Sequence, residues 1–72
     1  MKAVVHADTI SISYTPFLGL GTERMAGIYD RVTNTLCMTD RCRGLVPRVL
    51  KSLRDAQRLY GIEVRPVKVE YW

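Results

Sequence analysis

The clearest pattern in the chain is the segment LVPRVLKSLRDAQRLYG, residues 45–61. Its apolar residues recur at spacings of three and four, as in an amphipathic α-helix with one face on a core. Pro47 fits only the first turn, because proline has no N–H to donate to an earlier carbonyl. Gly61 suits the position after the helix end, where a left-handed backbone is common. The segment therefore predicts one helix, with an apolar stripe formed by Val46, Val49, Leu50, Leu53, Ala56, Leu59 and Tyr60.

Upstream of this helix, the segment DTISISYTP, residues 8–16, alternates between apolar and polar residues. This period of two, with β-branched side chains, predicts a half-buried strand. Val4 and Val5 either begin that strand early or form a short strand of their own. The next segment, residues 16–23, predicts a loop because it contains a proline and two glycines. Three large apolar residues in this loop either fold onto the core or form an interaction surface: Phe17, Leu18 and Leu20.

Residues 24–40 are compatible with either a helix or a β-hairpin. Several apolar residues fall at helical spacing, but Gly27 lies inside the segment and VTNT, residues 32–35, consists of poor helix formers. Asp30 can accept backbone N–H groups in a turn, and Asn34 tolerates a positive φ. We favour the hairpin, with strands at about 24–30 and 35–39.

The segment IEVRPVKVEYW, residues 62–72, predicts a final strand. Its alternation changes phase at Arg65 and Pro66. Proline cannot donate to a strand ladder, so we expect a bulge or a sheet edge there.

Together these elements predict an α+β fold in which a three- or four-stranded antiparallel sheet packs on one amphipathic helix, in the order β-β-β-α-β. A chain of 72 residues corresponds to a single small domain over residues 1–72. No apolar run approaches the ~18 residues of a membrane span, and the apolar run at the N-terminus is too short for a signal peptide. We therefore expect a cytoplasmic protein without membrane contacts.

The two cysteines, Cys37 and Cys42, could form a metal clip, a disulfide or part of a catalytic site. A structural zinc site takes four ligands, and beyond the cysteines the chain offers only His6 and carboxylates. A disulfide across this short spacing is conceivable, but the expected compartment is reducing. His6 is far from both cysteines in sequence, which disfavours a nucleophile and base pair. We interpret both cysteines as small apolar residues and expect no metal and no cofactor.

The net charge of +4 is unevenly distributed. Residues 1–40 carry three cations and four carboxylates, net −1, whereas residues 41–72 carry eight cations and three carboxylates, net +5. Arginines cluster where the helix begins, although the partial positive charge of a helix N-terminus makes each nearby cation cost about 0.3–1 kcal/mol. Either Asp40 neutralises part of this charge or an external anion such as phosphate binds there. The candidate anion-binding residues are Arg41, Arg43, Arg48, Lys51, Arg54 and Arg58.

The other interpretation of these cations is a solvated helix face on which Asp55 pairs with Lys51 and Arg58. Aromatic residues suggest an additional possibility, because Tyr29 or Tyr71 could stack on bases if the sheet face away from the helix is open. The default expectation for both tyrosines is that they belong to the core.

Two functional hypotheses follow. The first is a small non-enzymatic module that contacts nucleic acid, or another polyanion, through its basic helix. The alternative is a small protein-binding inhibitor or adaptor, such as a phage-type host-takeover or anti-defence protein, which docks by a sheet edge or the apolar loop. An enzyme is not expected, because no nucleophile with a base and no metal cluster is evident. The partner would be nucleic acid or a nucleic-acid-handling protein, and a homodimer through a strand edge is possible. The candidate protein-interaction residues are Phe17, Leu18, Leu20, Pro66, Lys68, Tyr71 and Trp72.

Overall fold

The computed structural model describes residues 1–15 and 22–72 and has the predicted α+β architecture. One sheet with the strand order β1-β2-β3-β4-β5 packs against one helix, α1, with a 3₁₀ helix before it. The sheet has five strands in the described residues, whereas three or four were expected. The elements in chain order are β1 Lys2–Val5, β2 Thr9–Tyr14, β3 Arg24–Asp30, β4 Thr35–Met38, the 3₁₀ helix Asp40–Leu45, α1 Val46–Leu59 and β5 Lys68–Tyr71.

Strands β3 and β4 form the hairpin that the sequence favoured over a helix. In its turn, one carboxylate oxygen of Asp30 accepts the backbone N–H groups of Val32 at 2.9 Å and Thr33 at 3.3 Å. Asn34 closes the turn with a φ of 54°, a conformation that asparagine tolerates better than most residues. The turn chemistry therefore outweighs the helical spacing of the apolar residues.

The direction of β5 corrects the predicted antiparallel sheet. Strands β1 to β4 pair antiparallel, but β5 pairs parallel to β4. The reason is the connection: α1 carries the chain back along the sheet, so the next strand starts at the same end as β4.

The final strand is shorter than the predicted segment of residues 62–72. Pro66 has no N–H for the ladder, and its carbonyl instead accepts the side-chain amide of Asn34 at 2.7 Å. Pairing begins only at Lys68, whose N–H donates to the carbonyl of Asn34 at 3.3 Å. The proline thus sets the start of β5.

Helix α1 ends as its sequence predicts. Gly61 has a φ of +68°, and its N–H donates to the carbonyl of Arg58 at 3.3 Å. The N–H of Ile62 donates to the carbonyl of Gln57 at 2.7 Å. These two bonds form a Schellman motif, which satisfies carbonyls that the helix end leaves without partners.

The core lies between α1 and one face of the sheet. Tyr29 belongs to it, because the register places Tyr29 opposite Ile10 on β2 and Leu36 on β4. The same alternation places Tyr71 on the core side, opposite Met38. Both tyrosines therefore lie on the sheet face that packs on α1, the default expected for them; Tyr29 is buried there, whereas Tyr71 is 38% exposed. The buried apolar residues are Ile10, Ile12, Ala26, Tyr29, Leu36, Met38, Cys42, Val49, Leu53 and Ala56.

One polar residue, Gln57, lies among these apolar side chains. It is 0% exposed, and neither its amide nitrogen nor its amide oxygen has a hydrogen-bond partner in the described part of the protein. A buried polar group without a partner destabilises a fold.

No helix within residues 1–15 and 22–72 has the length and apolar character needed to cross a bilayer.

Candidate nucleic-acid interface

The outer face of α1 carries a line of cations, which we call the basic strip: Arg48, Lys51, Arg54 and Arg58. All four residues are exposed, because the helix turns the buried part of its apolar stripe, Val49, Leu53 and Ala56, toward the sheet. The last two residues of the predicted stripe, Leu59 and Tyr60, are exposed instead, at 80% and 63%. Lys51, Arg54 and Arg58 are spaced three and four residues apart, so they lie along one line of the helix surface. Arg58 lies ten positions after Arg48, so the strip is ~15 Å long at a rise of 1.5 Å per residue.

The charges of the basic strip are not neutralised within the described residues. Only two ion pairs occur there, between Arg43 and Asp40 and between Lys68 and Glu70. Asp55 forms neither of the helix ion pairs that the solvated-face interpretation predicts. Residues 16–21 contain no acidic side chain that could pair with the strip. The strip therefore presents four positive charges to solvent.

Arg43 belongs to a different environment. Its Nε donates to a carboxylate oxygen of Asp40, and its guanidinium lies over the ring of Tyr71, 4.0 Å from the centroid. The pKa of Arg43 is raised above its ordinary value, mainly by this hydrogen bond, while loss of solvation acts in the opposite direction. Asp40 thus offsets one of the charges at the helix entrance, and Arg43 connects the 3₁₀ helix to β5.

Arg41 lies in a groove beside the 3₁₀ helix rather than on the basic strip. The groove has a volume of about 510 Å³ and also contains Arg24 at the start of β3. Two aromatic side chains, Tyr14 and Trp72, line it as well. Sequence reasoning missed Arg24 and Tyr14 because only the paired ends of β2 and β3 bring them close to Arg41.

The predicted protein-interaction residues are divided between two regions. Phe17, Leu18 and Leu20 lie outside the residues that the structure describes. The others, Pro66, Lys68, Tyr71 and Trp72, are exposed at or beside the edge strand β5. The main chain of Trp72 is fixed, because its N–H donates to Met38 at 3.0 Å and its carbonyl accepts from Asp40 at 3.1 Å.

Neither cysteine is in a disulfide. Cys42, in the 3₁₀ helix, is buried, whereas Cys37, in β4, is partly exposed on the sheet face that points away from α1. No three metal-ligating side chains come together in the described ranges.

The six predicted anion-binding residues therefore occupy three places: the basic strip, the Arg43–Asp40 pair and the groove of Arg41. Comparisons of the chain with protein families, with curated proteins and with solved structures find no match.

Proposed function

We propose that this protein is a non-enzymatic nucleic-acid-binding module whose basic strip contacts the phosphate backbone. The observation that supports this is the exposure of Arg48, Lys51, Arg54 and Arg58 along one helix face, without ion pairs in the described residues. Phosphates of one duplex strand follow one another every ~3.4 Å along the axis, so a strip of ~15 Å spans about four of them. Three of the four cations are arginines, which bind phosphate with two parallel hydrogen bonds.

A strip of this composition binds without reading sequence. Lysine and arginine on phosphates fix position and supply affinity, whereas specificity requires contacts with base edges. We therefore propose a binder whose affinity is largely electrostatic and similar for different duplex sequences.

The salt dependence of binding tests this proposal. Four phosphate contacts predict a slope of about −3.6 in log K against log salt concentration. The affinity for a fluorescently labelled 20-base-pair duplex should then fall about a hundredfold between 50 and 200 mM salt. An anisotropy titration measures this directly. An affinity that is insensitive to salt would contradict the proposal.

A matched pair of variants tests the location of the interface. Arg54→Ala with Arg58→Ala removes two strip charges and should make the salt slope shallower by about 1.8. Lys2→Ala with Arg65→Ala removes the same charge from exposed positions outside α1 and should have a much smaller effect. If the two double variants weaken binding equally, net charge and not the strip determines affinity.

The edge strand β5 supports a second candidate, a protein-binding inhibitor or adaptor that docks by strand addition. β5 is the last strand of the sheet and pairs only with β4 in the described structure. Lys68 and Trp72 donate their N–H groups toward β4, so the alternation of a parallel ladder directs those of Val69 and Tyr71 outward. An added strand could accept these two donors. The ion pair between Lys68 and Glu70, however, places charges at this edge, a feature that protects edge strands from pairing.

A pull-down from nuclease-treated lysate separates the two candidates. Partners that remain bound after nuclease favour strand addition, and partners lost with the nucleic acid favour the basic strip.

A further inference from the structure

The groove beside the 3₁₀ helix combines positive charge with exposed aromatic surface. Its volume of about 510 Å³ is in the range of sites that hold a small molecule. Arg24 and Arg41 are both exposed, and neither forms an ion pair in the described ranges. Residues 16–21, which join β2 to β3, contain no carboxylate that could neutralise them. Two guanidinium groups are therefore available to an anion in the groove.

One of the two aromatic side chains of the groove is largely open to solvent. Trp72 is 60% exposed, although its backbone is hydrogen-bonded on both sides to the end of β4 and the start of the 3₁₀ helix. Tyr14 is half-buried and lines the same groove. A fixed backbone with an exposed indole provides a stacking surface at a small cost in conformational entropy, because little of the chain must be ordered on binding.

The one acidic side chain among the described lining residues, that of Asp40, is bound by Arg43. This pair lowers the repulsion that an incoming phosphate would meet. The groove thus offers two cations without ion pairs in the described ranges, one acidic side chain that already has a partner, and two aromatic side chains, of which Trp72 is the exposed one.

We propose that the groove binds a nucleoside phosphate unit, with its base against Trp72 and Tyr14 and its phosphate on Arg24 and Arg41. The unit is either a free nucleotide or an unpaired nucleotide of a strand, and only the strand source rests on the proposed function. Arginine binds phosphate with a planar pair of donors, and aromatic rings stack on any base. The site therefore requires both halves of the ligand.

Intrinsic fluorescence provides a direct measurement, because Trp72 is the single tryptophan of the chain. Titration with AMP should quench this fluorescence to saturation, with a Kd below about 1 mM. Adenosine, ribose 5-phosphate and inorganic phosphate each lack part of the ligand and should bind at least tenfold more weakly. A single-stranded tetranucleotide that binds tighter than AMP identifies the strand as the source, and equal or weaker binding identifies the free nucleotide.

Arg24→Ala with Arg41→Ala should weaken AMP binding at least tenfold, whereas Lys2→Ala with Arg65→Ala should not change it. All four residues are exposed, so neither double variant removes a core contact. The proposal is overturned if neither AMP nor the tetranucleotide gives saturable quenching, if phosphate alone binds as well as AMP, or if the Arg24 and Arg41 variant binds like the wild type.

Binding of the labelled 20-base-pair duplex, which has no unpaired nucleotides, distinguishes this proposal from the proposed function. Duplex binding without saturable quenching by AMP or by the tetranucleotide refutes the groove and leaves the basic strip standing. Saturable quenching by AMP without duplex binding refutes the strip and leaves the groove standing.

Discussion

Replacement of Gln57 by methionine should stabilise the protein. The amide of Gln57 is fully buried and has no partner among the described groups, so both of its polar atoms lost their hydrogen bonds to water on folding. Methionine has a similar unbranched shape and a thioether that adapts to irregular packing. It can occupy the same space without a polar group to desolvate.

The expected increase in the free energy of unfolding equals the penalty that the substitution removes. For a buried polar group without a partner this penalty is about 1–3 kcal/mol. For a domain of this size, 1 kcal/mol shifts Tm by about 4–8 °C. Gln57→Met should therefore raise Tm by about 5–20 °C and the free energy of unfolding by about 1–3 kcal/mol. Gln57→Ala should destabilise instead, because it leaves a cavity where the side chain was.

Urea denaturation followed by circular dichroism measures the change. The midpoint should rise with an unchanged m-value, since the surface exposed on unfolding stays nearly the same. Arg58→Met is a useful control: it introduces the same side chain at the adjacent exposed position and should change stability by less than about 0.5 kcal/mol. A lower midpoint for Gln57→Met would refute the reasoning and show that the amide makes stabilising hydrogen bonds, for example with ordered water.

Three further substitutions or reactions probe individual features of the fold. Gly61→Ala should lower the free energy of unfolding by about 1–2 kcal/mol, because the φ of +68° is unfavourable for a residue with a Cβ. Gly44→Ala is its control and should be neutral or slightly stabilising, since a Cβ there meets no atom within 4 Å and the φ is not positive. Asn34→Ala should lower stability by about 2–3 kcal/mol in urea titrations, because it removes two side-chain hydrogen bonds at a residue with a φ of 54°. A thiol reagent should label Cys37 in the native protein and Cys42 only on unfolding, as mass spectrometry of the digested protein would show; equal labelling rates would contradict the burial of Cys42.

Local chemistry made much of the fold predictable. The signals that proved informative each determine the backbone of residues nearby in sequence. They are the alternation of residues 8–16, the turn residues Asp30 and Asn34, and the positions of Pro47 and Gly61. The structure has β2, the hairpin and α1 at the places these residues indicate. The exposure of the basic strip was predictable for the same reason, because the face opposite an apolar stripe is the one left to solvent.

Interactions between distant segments were not predictable in this way. The parallel pairing of β5 depends on the return path of α1, and the late start of β5 depends on a contact between Asn34 and Pro66. The groove needs Arg24 to meet Arg41, which no spacing in the sequence reveals. The Arg43–Asp40 pair is an exception, because Asp40 was one of the two partners that the sequence suggested for the arginines at the helix entrance.

The crossover from β4 to β5 also has a consequence for the order of events during folding. The hairpin and α1 form through contacts between residues that are close in sequence, whereas the bond from Lys68 to Asn34 joins segments separated by more than thirty residues. Closing such a long loop costs more conformational entropy and is therefore slower. We therefore expect β5 to dock last and to open first. In hydrogen exchange, the amides of Lys68 and Trp72 should lose protection well before those of the central strands, so this rim of the sheet is the route by which the native state begins to unfold.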